Sequence, residues 1–388
     1  MIDSSVLEAT LPLATAGEIA VINLESAREQ SWGQFWHYPQ RPGVAECIVE
    51  QEQMALQFLS DATALDSLDA LVERFARTDV DPMRIALIQA QVSSTKHHFS
   101  EARAHLRKTE AWGPLPPSAN RLLLSIDQAC GNNLDAVLET RRQIAAESGR
   151  LEDLVPLGAL FADLREFDEA DRIYQRALRG YQDVSPFALA WVCFQLGSLW
   201  GELVTEPQPD RAAKWYRRAI EYVPSYVKAR VHLSEIYLSY GHAEDAETLL
   251  VPSVSGNDPE VHWRLADVMV EMGKLSDAEA LMRTARSGFE ALLEKHLLAF
   301  ADHGAEFYSG SGNDVARAFE LARVNAENRP TLRALEQAHG AAIEAGKSDA
   351  VTQILSAAEN RWGKTSAFKV SPLADPCHRP DVNIPASI

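Results

Sequence analysis

Apolar residues recur along this chain at helical spacing, in blocks of about a dozen residues, and each block is followed by a polar turn and a second block of the same kind. The pattern predicts pairs of amphipathic α-helices. From about residue 83 the pairs return in phase roughly every 34 residues, a period that belongs to repeat architectures. Glycines punctuate the turns, as at Gly241 and Gly273, where a left-handed backbone ends the first helix of a pair. One turn is longer, Thr205-Glu206-Pro207-Gln208-Pro209, because two prolines forbid helix there. Segments 44–82, 293–330 and 332–363 are more divergent but keep the pairing, with Gly310-Ser311-Gly312 and Gly346-Lys347-Ser348 at turns. The expected fold is an all-α solenoid of about nine antiparallel helix pairs.

Three copies carry a specific signature. They read Leu157-Gly158-x-x-Phe161 with Ala170-x-x-x-Tyr174-x-x-Ala177, then Leu196-Gly197-x-x-Trp200 with Ala212-x-x-x-Tyr216-x-x-Ala219-x-x-x-x-Pro224, then Leu233-Ser234-x-x-Tyr237 with Gly241 and Ala246. This resembles the tetratricopeptide repeat, clearly over 83–290 and weakly on either side. The resemblance implies a right-handed superhelix whose first helices line a concave groove that binds peptides or partner domains. Ala170, Ala213, Ala246 and Ala278 fall where helices cross and only a small side chain permits close approach. Tyr174, Tyr216 and Tyr237 read as core between helices.

Composition narrows the function. The balance of 37 Lys+Arg against 55 Asp+Glu gives a net charge of −18, which repels nucleic acid and anionic membranes and favours a basic or neutral partner. Cys47, Cys130, Cys193 and Cys377 show no CxxC spacing, so neither a disulfide framework nor a zinc site is expected. The first 22 residues lack the pattern of a signal peptide, and a cytoplasmic location is expected. Val184 to Gly201 is free of charge, but it holds Pro186 and falls in phase with a repeat helix, so it reads as a solenoid helix and not as a membrane span.

Counting places on the first helices gives a groove surface of Arg84, Arg121, Glu152, Trp191, Phe194, Lys228, Glu235, Glu260, Trp263 and Asp267, with Gln195, His232 and Arg264 beside it. Aromatic rings ringed by charge suit hot-spot anchoring. Some members of the family clamp a peptide carboxylate with five polar residues on three repeats. Here Gln195, Lys228 and His232 hold three of those places, and Val155 and Ala159 hold the other two, so only half a clamp is present.

The ends differ from the array. Residues 1–43 contain Trp32, Phe35 and Trp36 on a helix expected over Glu18 to Tyr38, an apolar stripe suited to cap the open end of a 44–363 solenoid. Residues 364–388 form a Pro-rich tail, expected to be extended from Ser371 onward and to be either disordered or laid along the groove. No catalytic motif appears, and no cofactor is expected. His97, His98 and His105, and His296, His303 and Glu306, are two weak candidate metal clusters. The sequence therefore predicts a non-enzymatic scaffold that binds a protein or peptide in its groove. The alternatives are a chaperone or substrate-presenting subunit of an enzyme complex, and a histidine-cluster metal protein.

Overall fold

The computed structural model describes residues 12–375 except Asn257, and among these it contains helices and turns but no strand. A leading helix, α1 (Gly17–His37), precedes the pairs. These are α2 (Val44–Leu59) with α3 (Thr63–Phe75), α4 (Pro82–Thr95) with α5 (Phe99–Thr109), α6 (Pro117–Ala129) with α7 (Leu134–Ser148), and α8 (Leu151–Asp163) with α9 (Phe167–Gly180). Next come α10 (Pro186–Ser198) with α11 (Pro209–Tyr222), α12 (Val227–Ser239) with α13 (Ala243–Leu250), and α14 (Pro259–Glu271) with the first arm of α15 (Leu275–Ser309). The second arm of α15 pairs with α16 (Val315–Asn328), and α17 (Leu332–Glu344) with α18 (Ser348–Trp362), before a short α19 (Ser366–Lys369). The array is an α-solenoid of nine pairs among the described residues.

The signature residues pack as their sizes require. A Cβ on Gly158 would stand 2.6 Å from the Tyr174 ring, and one on Gly197 would be closer still to the Tyr216 ring. Glycine thus creates the slot that each buried tyrosine fills. Ala170, Ala213, Ala246 and Ala278 are buried at the crossings. Gly241 and Gly273 take φ of +76° and +73°, as helix-ending glycines do.

Three local features were not legible in the periodicity. The last turn of α10 relaxes into a π-helical turn, Leu199–Leu203, in which the Val204 amide donates to the Leu199 carbonyl, before the exposed 205–208 loop. The long α15 is broken at His296, whose φ of −134° and ψ of 49° separate the seventh pair from the eighth. The expectation of an extended chain from Ser371 is corrected over its first residues. Pro372–Ala374 forms a 3₁₀ turn, Leu373 is 1% exposed, and Ser371 Oγ both accepts from the Leu373 amide and donates to Glu336 at 2.5 Å. Residues 376–388 lie outside the described residues.

The superhelix is wound tightly enough that its later coil meets its earlier one edge to edge. The turns within the early pairs abut the ends between later pairs. Gln57 Nε2 donates to the Tyr226 hydroxyl at 2.7 Å, and Phe58 packs against both Phe187 and Tyr226 with ring centroids 5.0 Å apart. Asp66 receives Lys295 at 2.9 Å and His296 at 3.2 Å. His97, at φ +59°, places Nδ1 3.1 Å from the Leu298 carbonyl, while its own carbonyl accepts from Asn328 at 2.9 Å. Further along, Arg361 donates to the Cys130 carbonyl at 2.7 Å, and Arg165 pairs with Glu336.

Helix α1 strengthens this closure. Its Ala20 and Leu24 enter the core of the middle pairs, and its Phe35 enters the core of the first pairs.

Candidate functional site

The seam between coils gapes at one place. Its upper wall is the turn edge of the third to fifth pairs, Gln128, Leu134, Asp163, Arg165 and Glu202 to Thr205. Its lower wall is the start of α17 with the last described residues, Thr331 to Arg333, Glu336, Lys369 to Pro372, Ala374 and Asp375, and together they border a half-open cavity of about 640 Å³.

Charges of both signs line the cavity, but they are not equally paired. Arg165 is held by Glu336, and Arg333 approaches Glu202 at 3.6 Å. Asp163 accepts a hydrogen bond from Gln128 at 3.1 Å and forms no ion pair among the described residues. The protein packed around its partly exposed side chain pushes its carboxyl up, with Gln128, Arg333, Arg329 and Arg141 pulling the other way. Leu134, Leu203, Val204 and Leu332 supply apolar wall.

Glu202 links the cavity to a belt of charge across the inner face. The π-helical turn carries Glu202 to within 3.0 Å of His232 Nδ1, and Tyr216 donates its hydroxyl to the same carboxylate at 2.8 Å. His232 also meets Glu235 at 3.2 Å and stacks on Tyr216 with centroids 5.5 Å apart. Burial alone would lower the histidine pKa, but the flanking Glu202 and Glu235 carboxylates outweigh it and hold the imidazole protonated well above its ordinary value. Burial would likewise raise Glu202, and His232 and Arg333 bring it instead to about 2. Beyond Glu235 the belt continues through Arg264, which pairs with Glu235 and reaches Glu306 at 3.0 Å.

The groove residues expected from sequence therefore divide. Phe194, Gln195, His232, Glu235, Arg264 and Asp267 gather on α10, α12 and α14, where Phe194 packs between Tyr216, Tyr226 and His232, and Gln195 accepts from the Tyr174 hydroxyl at 3.5 Å. Asp267 accepts from Ser311 at 2.6 Å. Trp191 is half-buried against the middle core. Trp263 does not face an open groove: it is 2% exposed, packs on Phe289 and Phe307, and carries the Arg264 guanidinium 3.5 Å over its ring.

Lys228 is covered by α2, with Nζ 3.4 Å from Gln57 Oε1. Arg121 forms a two-pronged pair with Asp153, Arg84 pairs with Glu46, and Glu260 faces His303 at 3.7 Å. Glu152 stays exposed beside Arg150. Several of the counted groove residues are thus covered or paired by neighbouring helices, and a cavity opens at the seam between coils. Sequence reasoning missed Asp163, Glu202 and Arg333, which lie at helix ends outside the counted places.

Among the described residues no three His, Cys, Asp or Glu side chains have the arrangement to hold a metal, and no helix is long and apolar enough to cross a membrane.

Several solved structures are similar in outline. The APC/C hetero-tetramer Cut9-Hcn1 matches over 89% of this chain and 65% of its own, at 11% identity and a TM-score of 0.45. A tetratricopeptide repeat protein from Parabacteroides merdae matches 71% of this chain and 98% of its own, at 15% identity and a TM-score of 0.38. The C-terminal part of a TPR repeat-containing protein from Cytophaga hutchinsonii matches 76% and 97%, at 12% identity and a TM-score of 0.31. This chain spans about two thirds of the Cut9-Hcn1 chain it matches. No protein-family model matches the sequence, and no curated protein matches it either. These overlaps are loose, so the fold stands on the helix pairs themselves. By the roles its signature glycines and tyrosines play, the array is tetratricopeptide-like.

Proposed function

We propose that this protein is a non-catalytic interaction scaffold that takes an extended, basic or neutral protein segment into the seam cavity. The observation that carries the reading is the Asp163 carboxylate, which lines a half-open cavity and accepts a hydrogen bond from Gln128 but forms no ion pair among the described residues, while apolar side chains flank it. A volume of about 640 Å³ falls within the roughly 300–1,000 Å³ of sites that hold compact ligands. The net charge of −18 would draw a basic segment toward the molecule before contact. Glu202 and the belt behind it fix the cavity's far wall, and Phe194, Gln195, His232, Glu235, Arg264 and Asp267 hold the belt in place. On this reading Trp191, Trp263, Lys228 and Arg121 support the frame without touching the partner.

Fluorescence anisotropy with short labelled peptides tests this. Arg- and Lys-containing peptides should bind more tightly than neutral ones, and acidic ones least. Asp163→Asn should weaken the basic peptides by about tenfold, as loss of one charge-assisted contact does. Equal binding of acidic peptides, or basic binding unmoved by Asp163→Asn in a normally folded variant, would overturn the proposal.

A further inference from the structure

We infer that the outward face of α1 is a docking strip for a basic amphipathic helix of a partner protein, a surface separate from the seam cavity.

The strip starts from where exposed apolar side chains stand. Ile19 and Ile22 are 54% and 60% exposed, Trp36 is 51% exposed, and Gly33 has open space where a Cβ would project. Exposed apolar residues scattered singly are ordinary on any surface, but these share one line. Counted from Ile19, the others follow at i+3, i+14 and i+17, so the second pair repeats the first two heptads later and all four fall on one stripe. Ser26 and Glu29 occupy the heptad between them. The inward side of α1, with Ala20, Leu24 and Phe35, is already spent on the solenoid core. A helix with apolar side chains on both sides has one face more than this chain fills. Gly33 next to the Trp36 ring leaves a hole of the kind that receives a knob from a facing helix.

Charge selects the occupant. Glu18, Glu25 and Glu29 are exposed and, spaced by seven and four residues, run down one flank of the stripe. Among the described residues none of the three forms an ion pair; the single arginine of α1, Arg28, turns inward onto Glu52 and Asp61, and the helix has no lysine. The other flank carries the amides Asn23 and Gln30. A second copy of this chain would bring the same carboxylates and a net charge of −18 against the strip, which opposes pairing, whereas a helix with Lys or Arg along one edge meets opposite charge.

The strip is also held in place. The Thr15 amide donates to the Val184 carbonyl at 2.8 Å at one end, Phe35 is buried at the other, and Arg28 fastens the middle to Glu52 at 2.6 Å. Its 21 residues make an edge about 31 Å long. A surface fixed in this way loses little freedom on binding. The fitting partner is a helix of about three heptads, apolar at its two ends and basic along one flank.

A labelled three-heptad peptide serves as the probe, with Leu at the a and d places of its outer heptads, Ala and Lys at those of the middle one, and Lys along one flank. Its twin carries Glu for every Lys. In fluorescence anisotropy the Lys peptide should bind with a Kd on the order of 10 µM, and the Glu twin at least about tenfold more weakly. Affinity for the Lys peptide should fall as salt is raised from about 0.05 M to about 0.5 M, since exposed pairs are screened. Ile22→Asp and the double variant Glu25→Lys/Glu29→Lys should each weaken it by about tenfold, with circular dichroism and melting unchanged because all three side chains are exposed. Asp163→Asn should leave this binding unmoved, which keeps the test apart from that of the seam cavity.

Equal binding of the Glu twin, or affinity untouched by both strip variants, would overturn the inference. Loss of binding with Asp163→Asn would move the peptide to the seam cavity and overturn it too. A concentration-dependent dimer in sedimentation velocity that Ile22→Asp abolishes would give the strip to a second copy and not to a basic partner.

Discussion

Glycine at 158 and 197 shows how single residues set the spacing of the solenoid. Each lies on a first helix where the partner helix drives a tyrosine ring into the gap left by the missing Cβ. Gly33, on α1, has nothing within 4 Å of where a Cβ would stand. The contrast separates packing from helix propensity. Gly158→Ala and Gly197→Ala should each cost about 1–3 kcal/mol, because the buried Tyr174 and Tyr216 rings cannot move aside without leaving their core. Gly33→Ala should gain up to about 1 kcal/mol from propensity alone. Thermal or urea melts of the three variants decide it, and a neutral Gly197→Ala would mean the ring does not fill that slot. The roles of these residues were legible in the sequence because both partners of each contact sit at fixed spacing within one repeat. Trp263 was not: an aromatic on a first helix reads the same whether its neighbour is solvent or Phe307, and only the fold puts Phe307 there.

Among the elements, α1 departs most from its expected role. The stripe of Trp32, Phe35 and Trp36 suggested a lid on the first pair, and Phe35 is indeed buried there while Trp36 stays 51% exposed. The other half of the helix reaches the middle pairs, with the Thr15 amide donating to the Val184 carbonyl at 2.8 Å and Gly17 lying against Tyr222 and Pro224. Between the two ends, Glu52 of α2 is 1% exposed and, among the described residues, takes its side-chain hydrogen bonds from α1. Arg28 donates to it at 2.6 Å and Trp32 Nε1 at 2.8 Å, and Arg28 also reaches Asp61 at 3.0 Å. Removing Arg28 strands a buried carboxylate, so Arg28→Ala should cost about 3 kcal/mol or more in chemical denaturation. Arg28→Lys should cost less, since it keeps the charge while losing the fork. A loss below about 0.5 kcal/mol, typical of a surface pair, would show that α1 lies loosely on the array.

At the scale of the whole molecule, the helix pairs were readable and their closure was not. Amphipathic periodicity is local, so it survives in one sequence, but the seam joins Gln57 to Tyr226, His97 to Asn328 and Cys130 to Arg361, across separations of 169 to 231 residues. At the sequence level these are polar turn residues of the kind that ordinarily face water, and His97 even invited a metal reading. Closure changes the energetics expected of a repeat protein. In an open solenoid each pair feels only its neighbours, and a substitution in the last pair is silent in the third. Here Arg361 of α18 donates to the Cys130 carbonyl and reaches Asn132, and Trp362 Nε1 donates to the Pro330 carbonyl beside Gly131 at 3.0 Å. Arg361→Ala should therefore cost about 1 kcal/mol overall and should also speed amide exchange in the turn after α6 and the first turn of α7. Arg323→Ala, which removes only a pair within α16, should leave that region unchanged. Hydrogen exchange read by mass spectrometry compares the two directly. If Arg361→Ala disturbs only α17 and α18, the coils do not share stability, and the cavity walls are free to part without unfolding either side.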